Sequence, residues 1–448
     1  MPEPVATTPD RGLKRTLFGA ACLSIQPLLL NALSIPAMAL IIRRLGPANY
    51  GQWVTATSLI TAVGFLTSLG LRGRFVRSVA QDPASAPQAL AEQLGTRLVL
   101  ALLAMSVVIF ACLALKYSPI VLQCTVIASI GMILTTGWST LVDLMQALER
   151  FSTIASVNLV SGLLLTAASV LVIIAGGGPV ALSLAYLIGP LTSLVLLLVI
   201  LHSQRFPVSL SIHARRAGRL IWASRHFTAQ QFFGAAEGNA VALMLPRLIG
   251  PAGFGIFAAG ALLSDRLTMI PDNIGTAIYP MISKLARKNP RCAARRAVQA
   301  AALGLSVGIV LAVIGTVFAG TIAHILLPKA EVQCRTIMVI TLWALPLAGT
   351  QLAMGYALLG AGSDKSLTHA AIWATIICLP LGIILILRFG ILGACAFILA
   401  RFAVRLCVIL PEFFHVFLVP FWRRADEPSA LQRKNSNWKS PGIALQKP

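Results

Sequence analysis

The sequence predicts an all-α polytopic membrane protein, with about 12 transmembrane helices in two parallel six-helix lobes. Three observations predict it: an apolar composition, a series of apolar runs of bilayer length, and a helix-breaking turn that recurs later in the chain. Of 448 residues, 57% are hydrophobic and 11% charged, and the mean hydropathy is +0.84. Soluble domains average about 45–50% apolar and about 25% charged residues. A soluble chain cannot bury that much apolar surface. The composition therefore excludes an ordinary soluble enzyme, a disulfide-stapled secreted domain and a disordered scaffold.

A bilayer core of about 30 Å takes about 20 helical residues to cross. Apolar runs of that size fall near 17–42, 52–71, 96–115, 119–142, 153–175, 179–201, 227–246, 254–282, 298–327, 336–360, 367–387 and 391–420. Their length and continuity indicate helices rather than barrel strands. The first run is too long for a signal peptide, and Asn31 and Pro36 interrupt it, so it is expected to be retained. The resulting organisation is a cytoplasmic N-terminus (1–16), an N-lobe of helices 1–6 (17–203), a basic linker (204–226), a C-lobe of helices 7–12 (227–422) and a disordered cytoplasmic tail (423–448). In the linker, 213–222 sets Arg215, Arg216 and Arg219 beside Leu220, Ile221 and Trp222, the pattern of an amphipathic helix on a headgroup surface.

The net charge is +22, with 36 Lys and Arg against 14 Asp and Glu. The basic residues cluster between apolar runs, as in a membrane protein obeying the positive-inside rule, and no nucleic-acid partner is expected. With the N-terminus inside and the spans alternating, 25 of the basic residues fall on the inner side. Only seven fall outside: Arg43, Arg44, Lys116, Arg247, Lys329, Arg335 and Arg388. An even number of spans with both termini cytoplasmic follows. The eight cysteines form no CxxC pair and read as small buried hydrophobes.

The first outer turn reads Arg43-Arg44-Leu45-Gly46-Pro47-Ala48-Asn49-Tyr50-Gly51. A second reads Arg247-Leu248-Ile249-Gly250-Pro251-Ala252-Gly253-Phe254-Gly255. Arg, Gly, Pro, Ala and Gly recur in register at an offset of 204 residues. Gly-Pro breaks a helix, and the second Gly permits close backbone approach. Six helices per repeat preserve orientation, so the halves are related by an axis along the membrane normal, an arrangement typical of secondary transporters.

Residues of these turns, with Ser68-Leu69-Gly70-Leu71 and the stretch Ala277-Ile278-Tyr279-Pro280-Met281-Ile282-Ser283-Lys284-Leu285, resemble those of polysaccharide-type, Wzx-like lipid-linked oligosaccharide flippases. These belong to the multidrug/oligosaccharidyl-lipid/polysaccharide exporter superfamily. The sequence departs from the peptidoglycan-precursor branch in lacking two extra C-terminal helices and a strongly basic first helix. The resemblance implies a V of two six-helix lobes in a bacterial inner membrane. It implies as cargo an undecaprenyl-diphosphate-linked glycan of the O-antigen or exopolysaccharide kind, and as partners glycosyltransferases and a polysaccharide polymerase. A multidrug or small-molecule exporter of the same superfamily is the alternative.

Ionisable groups inside spans are costly unless paired or hydrated, which makes them the site candidates. Glu237 in span seven is the first choice for a coupling group. Asp265, Thr268 and Asp272 in span eight share a helical face that corresponds, by the 204 offset, to Thr61, Gly64 and Ser68. Asp265 and Asp272 are read as further coupling groups or as packing pairs, and Arg266 as substrate contact or counter-ion. Arg401 and Arg405 lie one turn apart in span twelve. They suit a diphosphate, because guanidinium forks bind phosphate oxygens bidentately, although snorkelling or pairing with Glu412 would serve as well. Asn31, between Pro27 and Pro36, is a candidate substrate contact at a hinge, or part of a simple kink. His324 is read as structural, and Tyr50, Tyr117, Trp138 and Trp422 as interface anchors. No phosphate loop, HExxH or nucleophile elbow is present, so no enzyme activity is expected. No metal or cofactor is expected beyond a coupling proton or sodium ion. Cation-coupled antiport of an anionic substrate is the expected mechanism.

Overall fold

The computed structural model describes residues 9–148, 150–211, 218 and 225–418, and the side chains of most but not all of these from Gln26 onward. Most of the linker 213–222 and the tail 423–448 lie outside the described residues, as does Trp422. The described chain is helical: α1 (Pro9–Val63), α2 (Leu71–Gln81), α3 (Ala86–Ala114), α4 (Pro119–Ala147), α5 (Phe151–Ile174), α6 (Pro179–Ala185), α7 (Ile188–Ser203), α8 (Arg225–Leu267), α9 (Met269–Lys288), α10 (Pro290–Leu326), α11 (Glu331–Leu342), α12 (Leu345–Gly360) and α13 (Asp364–Phe413). Starts follow local chemistry. Pro119 and Pro290 sit in first turns, where no intrahelical N–H is needed. The Ser118 and Asn289 side chains accept from the N–H groups of Val121 and Cys292.

Among the described residues, nine helical segments are long and apolar enough to cross a membrane, and the protein is a multi-pass membrane protein. Three are far longer than a bilayer needs: Leu29–Thr67, Gln231–Ser283 and Leu367–Phe417, of 39, 53 and 51 residues. A straight helix of the last length would reach about 75 Å, against an apolar thickness of about 30 Å. Each contains one backbone break. Gly46 (φ 73°, ψ 169°) interrupts α1, Gly250 (φ 75°, ψ 170°) interrupts α8, and Gly390 (φ 57°, ψ −122°) interrupts α13. Positive φ at these points is open to glycine and strained for other residues. The first two breaks agree within two degrees in both angles, so the repeated sequence folds into a repeated turn.

Those turns touch. A Cβ on Gly51 would stand 1.8 Å from the Pro251 carbonyl oxygen, and one on Gly255 would stand 2.0 Å from that of Pro47. The contact is reciprocal, turn against turn. Around it the halves share their apolar cores. Met38, Ile41 and Ile42 of α1 cluster with Leu326, Met338 and Leu342 from α10 and α11. Leu243 of α8 packs on a cluster of Ala56, Leu59, Cys112 and Cys124. At the opposite end the cores separate. One, with Phe75, Leu90, Leu144 and Leu201, belongs to the first half, and another, with Ile282, Ala297, Leu358 and Phe413, to the second. The halves are thus joined at the turn end and packed independently at the other. One seam bridges them near that other end: Ser68 Oγ donates to Gln231 Oε1 at 3.0 Å, Thr228 Oγ1 to the Leu69 carbonyl at 2.9 Å, and the Phe65 and Phe232 rings stand 5.4 Å apart.

Some expectations are revised. Tyr50 is not an interface anchor: it is buried, with its ring 6.0 Å from Trp53, which meets Tyr186 edge-on at 4.9 Å. Helices overrun the apolar runs that mark them, α1 starting at Pro9 and α3 at Ala86, because helical hydrogen bonding continues past the hydrocarbon boundary. Among the described residues, five of the cysteines are buried, Cys292 is half-buried and Cys407 exposed.

We predict that Gly51→Leu and Gly255→Leu each destabilise the protein by about 1–3 kcal/mol through overpacking against backbone. Thermal unfolding of the purified protein in detergent measures this. Unchanged midpoints for both variants would show that the turns do not hold the halves together.

Candidate functional site: a charged layer

Distance along each helix from its glycine break gives a common depth. Asn31 lies 15 residues before Gly46, Glu237 13 before Gly250, Asp265 and Arg266 15 and 16 after it, and Arg401 and Arg405 11 and 15 after Gly390. At 1.5 Å per residue these side chains stand about 16–24 Å from the turn end, in one layer of the molecule.

Glu237 is the centre of the layer. It is fully buried, and its Oε2 accepts from Arg405 Nη2 at 2.9 Å, Arg405 Nε at 3.1 Å and Thr375 Oγ1 at 3.3 Å. Its Oε1 is buried and accepts no hydrogen bond among the described residues. Arg405 therefore pairs with Glu237. One turn earlier, Arg401 Nη1 lies 4.0 Å from where a Cβ on Gly238 would sit, so α8 and α13 approach closely beside Glu237. Arg401 interacts electrostatically with Glu237, Arg405 and Asp265.

Asp265 is solvent-exposed although it lies in the middle of an apolar segment, and the charges acting on it are Arg401 and Arg266. Arg266 Nη1 donates to Asn31 Oδ1 at 3.1 Å, and Asn31 Nδ2 lies 3.0 Å from Met269 Sδ. Asn31 thus ties α1 of the first half to α8 and α9 of the second. The backbone stays helical through Asn31, and the non-helical break in α1 is at Gly46, where the Gly-Pro turn is expected. Three guanidiniums face two carboxylates in this layer, leaving one net positive charge.

Asp272 stands apart. Its Oδ1 accepts from the Tyr356 hydroxyl at 3.0 Å, in a contact so close that a Cβ on Gly275 would meet the Tyr356 ring at 2.3 Å. The face shared by Asp265 and Asp272 in sequence is divided between the cleft and α12. Of its first-half counterparts, Thr61 bonds locally, to the Thr57 carbonyl, and Ser68 bonds Gln231 of the second half. At the turn end, His324 Nδ1 and Glu331 Oε2 lie 2.7 Å apart, both exposed. Among the described residues, no group of three His, Cys, Asp or Glu could hold a metal ion.

Sequence reasoning missed a second charged group, in the first half. Asp143 Oδ2 meets Arg97 Nη1 at 3.0 Å, and its Oδ1 meets Arg72 Nε at 2.9 Å. Arg97 also donates to Ser139 Oγ at 3.0 Å and the Thr67 carbonyl at 3.2 Å. Arg97 and Asp143 are 5% and 2% exposed. The apolar run 119–142 stops one residue short of Asp143, although α4 continues to Ala147. The available signal was Arg97, a charge inside the apolar run 96–115 that needs a partner. This group joins α2, α3 and α4 and fixes the first half internally.

With this geometry described, similarity adds the family. A family model described as polysaccharide biosynthesis protein matches residues 18–286, more than half of the chain. The chain belongs to the polysaccharide biosynthesis protein family. Solved structures similar to this family member are transporters of the MOP superfamily. One is a MATE-family multidrug resistance transporter in an inward-facing conformation, with TM-score 0.66 and 13% identity, covering 91% of this chain and 100% of that one. Another is the lipid II flippase MurJ in an inward closed conformation, with TM-score 0.66 and 16% identity, covering 88% and 87%. A third is a MOP-superfamily transporter from Pyrococcus furiosus, with TM-score 0.61 and 13% identity, covering 90% and 95%. At these identities the likeness is one of fold. No curated protein matches the sequence.

Removing one partner of a buried ion pair costs about 3–5 kcal/mol, because the other charge is left unpaired, whereas replacing both can be neutral. Arg97→Met alone is expected to lower stability by that order, and Arg97→Met combined with Asp143→Leu to recover most of it. Denaturant unfolding of the three proteins measures this, and an uncoupled double variant would contradict a structural role for the group.

Proposed function

We propose that the protein translocates polyprenyl-diphosphate-linked oligosaccharide or polysaccharide repeat units across the bacterial inner membrane by alternating access. The observation that carries this reading is the layer of Arg266, Arg401 and Arg405 at one depth of the molecule, with its net positive charge and with Arg266 reaching across to Asn31 of the other half. Guanidiniums in a low-dielectric cleft suit a diphosphate, which accepts bidentate charge-assisted hydrogen bonds. The family match supports a carbohydrate-linked cargo. Each of the three over-long segments is read as crossing the membrane twice, which brings the nine segments to twelve spans in two six-helix lobes. The lobes form a V closed at the turn end. The basic bias of the other side puts both termini in the cytoplasm, with the V open inward.

The Glu237–Arg405 pair supplies a route to cation coupling. While Glu237 is ionised it holds Arg405. A proton or sodium ion on Glu237 releases Arg405 to an anion, so cation and diphosphate promote each other's binding. Binding of both on the same side departs from simple antiport, in which the two exclude each other. Arg401 and Arg266, which are not ion-paired at hydrogen-bond distance among the described residues, form the resting diphosphate contact. Asn31 joins them by orienting Arg266.

The rival reading, a multidrug or small-molecule exporter, draws on one observation, the exposed carboxylate of Asp265, which would attract a cation. Arg401 and Arg266 offset that charge, which favours the anionic cargo.

The test is lipid-linked glycan analysis in a deletion strain carrying variants on a plasmid. The deletion is expected to accumulate polyprenyl-diphosphate-linked glycan and to lose surface polysaccharide. Arg401→Gln should restore about tenfold to a hundredfold less transport than wild type, the loss of a hydrogen bond to a charged group. Glu237→Gln should flatten the pH dependence of transport. Normal glycans with hypersensitivity to cationic dyes would establish the exporter instead, and a Glu237→Gln protein with unchanged pH dependence would remove Glu237 from coupling.

A further inference from the structure

The repeat makes Arg43 and Arg247 equivalent, each three residues before its break glycine. Their surroundings differ. Arg247 donates to the Leu115 carbonyl and stands 4.9 Å over the Tyr117 ring, which ties α8 to the α3–α4 turn of the other half. Arg43 is exposed and, among the described residues, makes no hydrogen bond, ion pair or ring contact. It stands instead at one end of a groove of about 400 Å³ between α1, α8 and α10, with Arg266 at the other end. Between them the lining is wholly apolar, with Ile35, Leu263 and Ile322 among it. From Ile35 to Arg43 the groove climbs about 12 Å along α1. Ile35 and Ile325 are 36% and 47% exposed, so it opens sideways.

Two arginines joined by an apolar trough fit an anionic lipid. The trough alone gives little selectivity, because an aliphatic chain gains little by leaving lipid for an equally apolar surface. Selectivity must come from the charged ends. Arg266 belongs to the central layer and bonds Asn31 across the α1–α8 seam, so the groove is continuous with the place where a diphosphate would be held. A cargo whose head crosses the cleft while its tail stays in the bilayer must thread this seam.

We infer that this groove holds the isoprenoid chain of the polyprenyl-diphosphate carrier, with Arg43 receiving its diphosphate as the head moves from Arg266 toward the turn end. The inference rests on the flippase reading and adds an exit path to it. It explains the broken symmetry: one arginine of the repeated pair latches the halves and its mate is left free for the cargo. An ordinary anionic phospholipid shares the phosphate chemistry but has no reason to reach Arg266.

The test uses the full chain in phosphatidylcholine nanodiscs with a diazirine-tagged farnesyl diphosphate as photoprobe, labelled peptides being mapped by mass spectrometry. Label is expected on α1 and α10. Arg43→Gln should cut it about tenfold or more, the loss of a charge-assisted contact, while Arg247→Gln retains it. Excess farnesyl diphosphate should compete and phosphatidylglycerol should not. Leu263→Trp, which fills the trough from a second element, should remove the label independently of charge. Groove labelling unchanged by Arg43→Gln, or displaced equally by phosphatidylglycerol, overturns the inference. The flippase reading is scored separately by glycan accumulation in the deletion strain. Accumulation with Arg43-independent labelling sinks the groove alone, and Arg43-dependent labelling without accumulation sinks the flippase reading while the lipid site stands.

Discussion

The contact on which the rest depends is backbone against backbone: Gly51 on the Pro251 carbonyl and Gly255 on that of Pro47. Lipid offers no hydrogen bonds, so the chain stays helical wherever it meets the bilayer and can turn only where the backbone is sheltered. The repeated Gly-Pro turns are two such points, and absence of side chains at Gly51 and Gly255 lets them nest. That nesting holds the halves together at one end. At the other end the cores are separate, and the seam of Ser68–Gln231, Thr228–Leu69 and Phe65–Phe232 joins the halves; opening that seam is what the proposed alternating access requires.

The two halves use charge differently. In the first, Asp143 is saturated by Arg97 and Arg72 inside a single half, so its charges are committed to packing. In the second, Glu237 and Arg405 pair within the half, and the group is incompletely satisfied. Glu237 bonds through one oxygen only, Asp265 is exposed, and Arg266 reaches across to Asn31. A low dielectric makes unsatisfied charge expensive. Unlike the first-half group, this one includes a bond across the halves, from Arg266 to Asn31, and that link marks the second group as the candidate site.

Much of this was legible in the sequence because lipid imposes simple rules. The repeat at an offset of 204 residues, the breaks at Gly46 and Gly250 and the candidate set Asn31, Glu237, Asp265, Arg266, Arg401 and Arg405 were readable from apolar runs and the cost of buried charge. The pairings were not. Arg405 meets Glu237 across 168 residues of chain and Asp272 meets Tyr356 across 84, separations that helical spacing does not encode. Asp143 was hidden by a hydropathy edge one residue short of it. Tyr50 looked like an interface aromatic by position and is buried because the second half covers it.

The central claim is that a diphosphate on a polyprenyl chain passes between the halves. A reconstituted flipping assay tests it most directly: purified protein in vesicles holding a fluorescent polyprenyl diphosphate, with a membrane-impermeant quencher added outside. The account predicts that nearly all of the fluorescence becomes quenchable, and that Arg401→Gln slows the inner-leaflet phase. Quenching confined to the outer leaflet, as in protein-free vesicles, would contradict it.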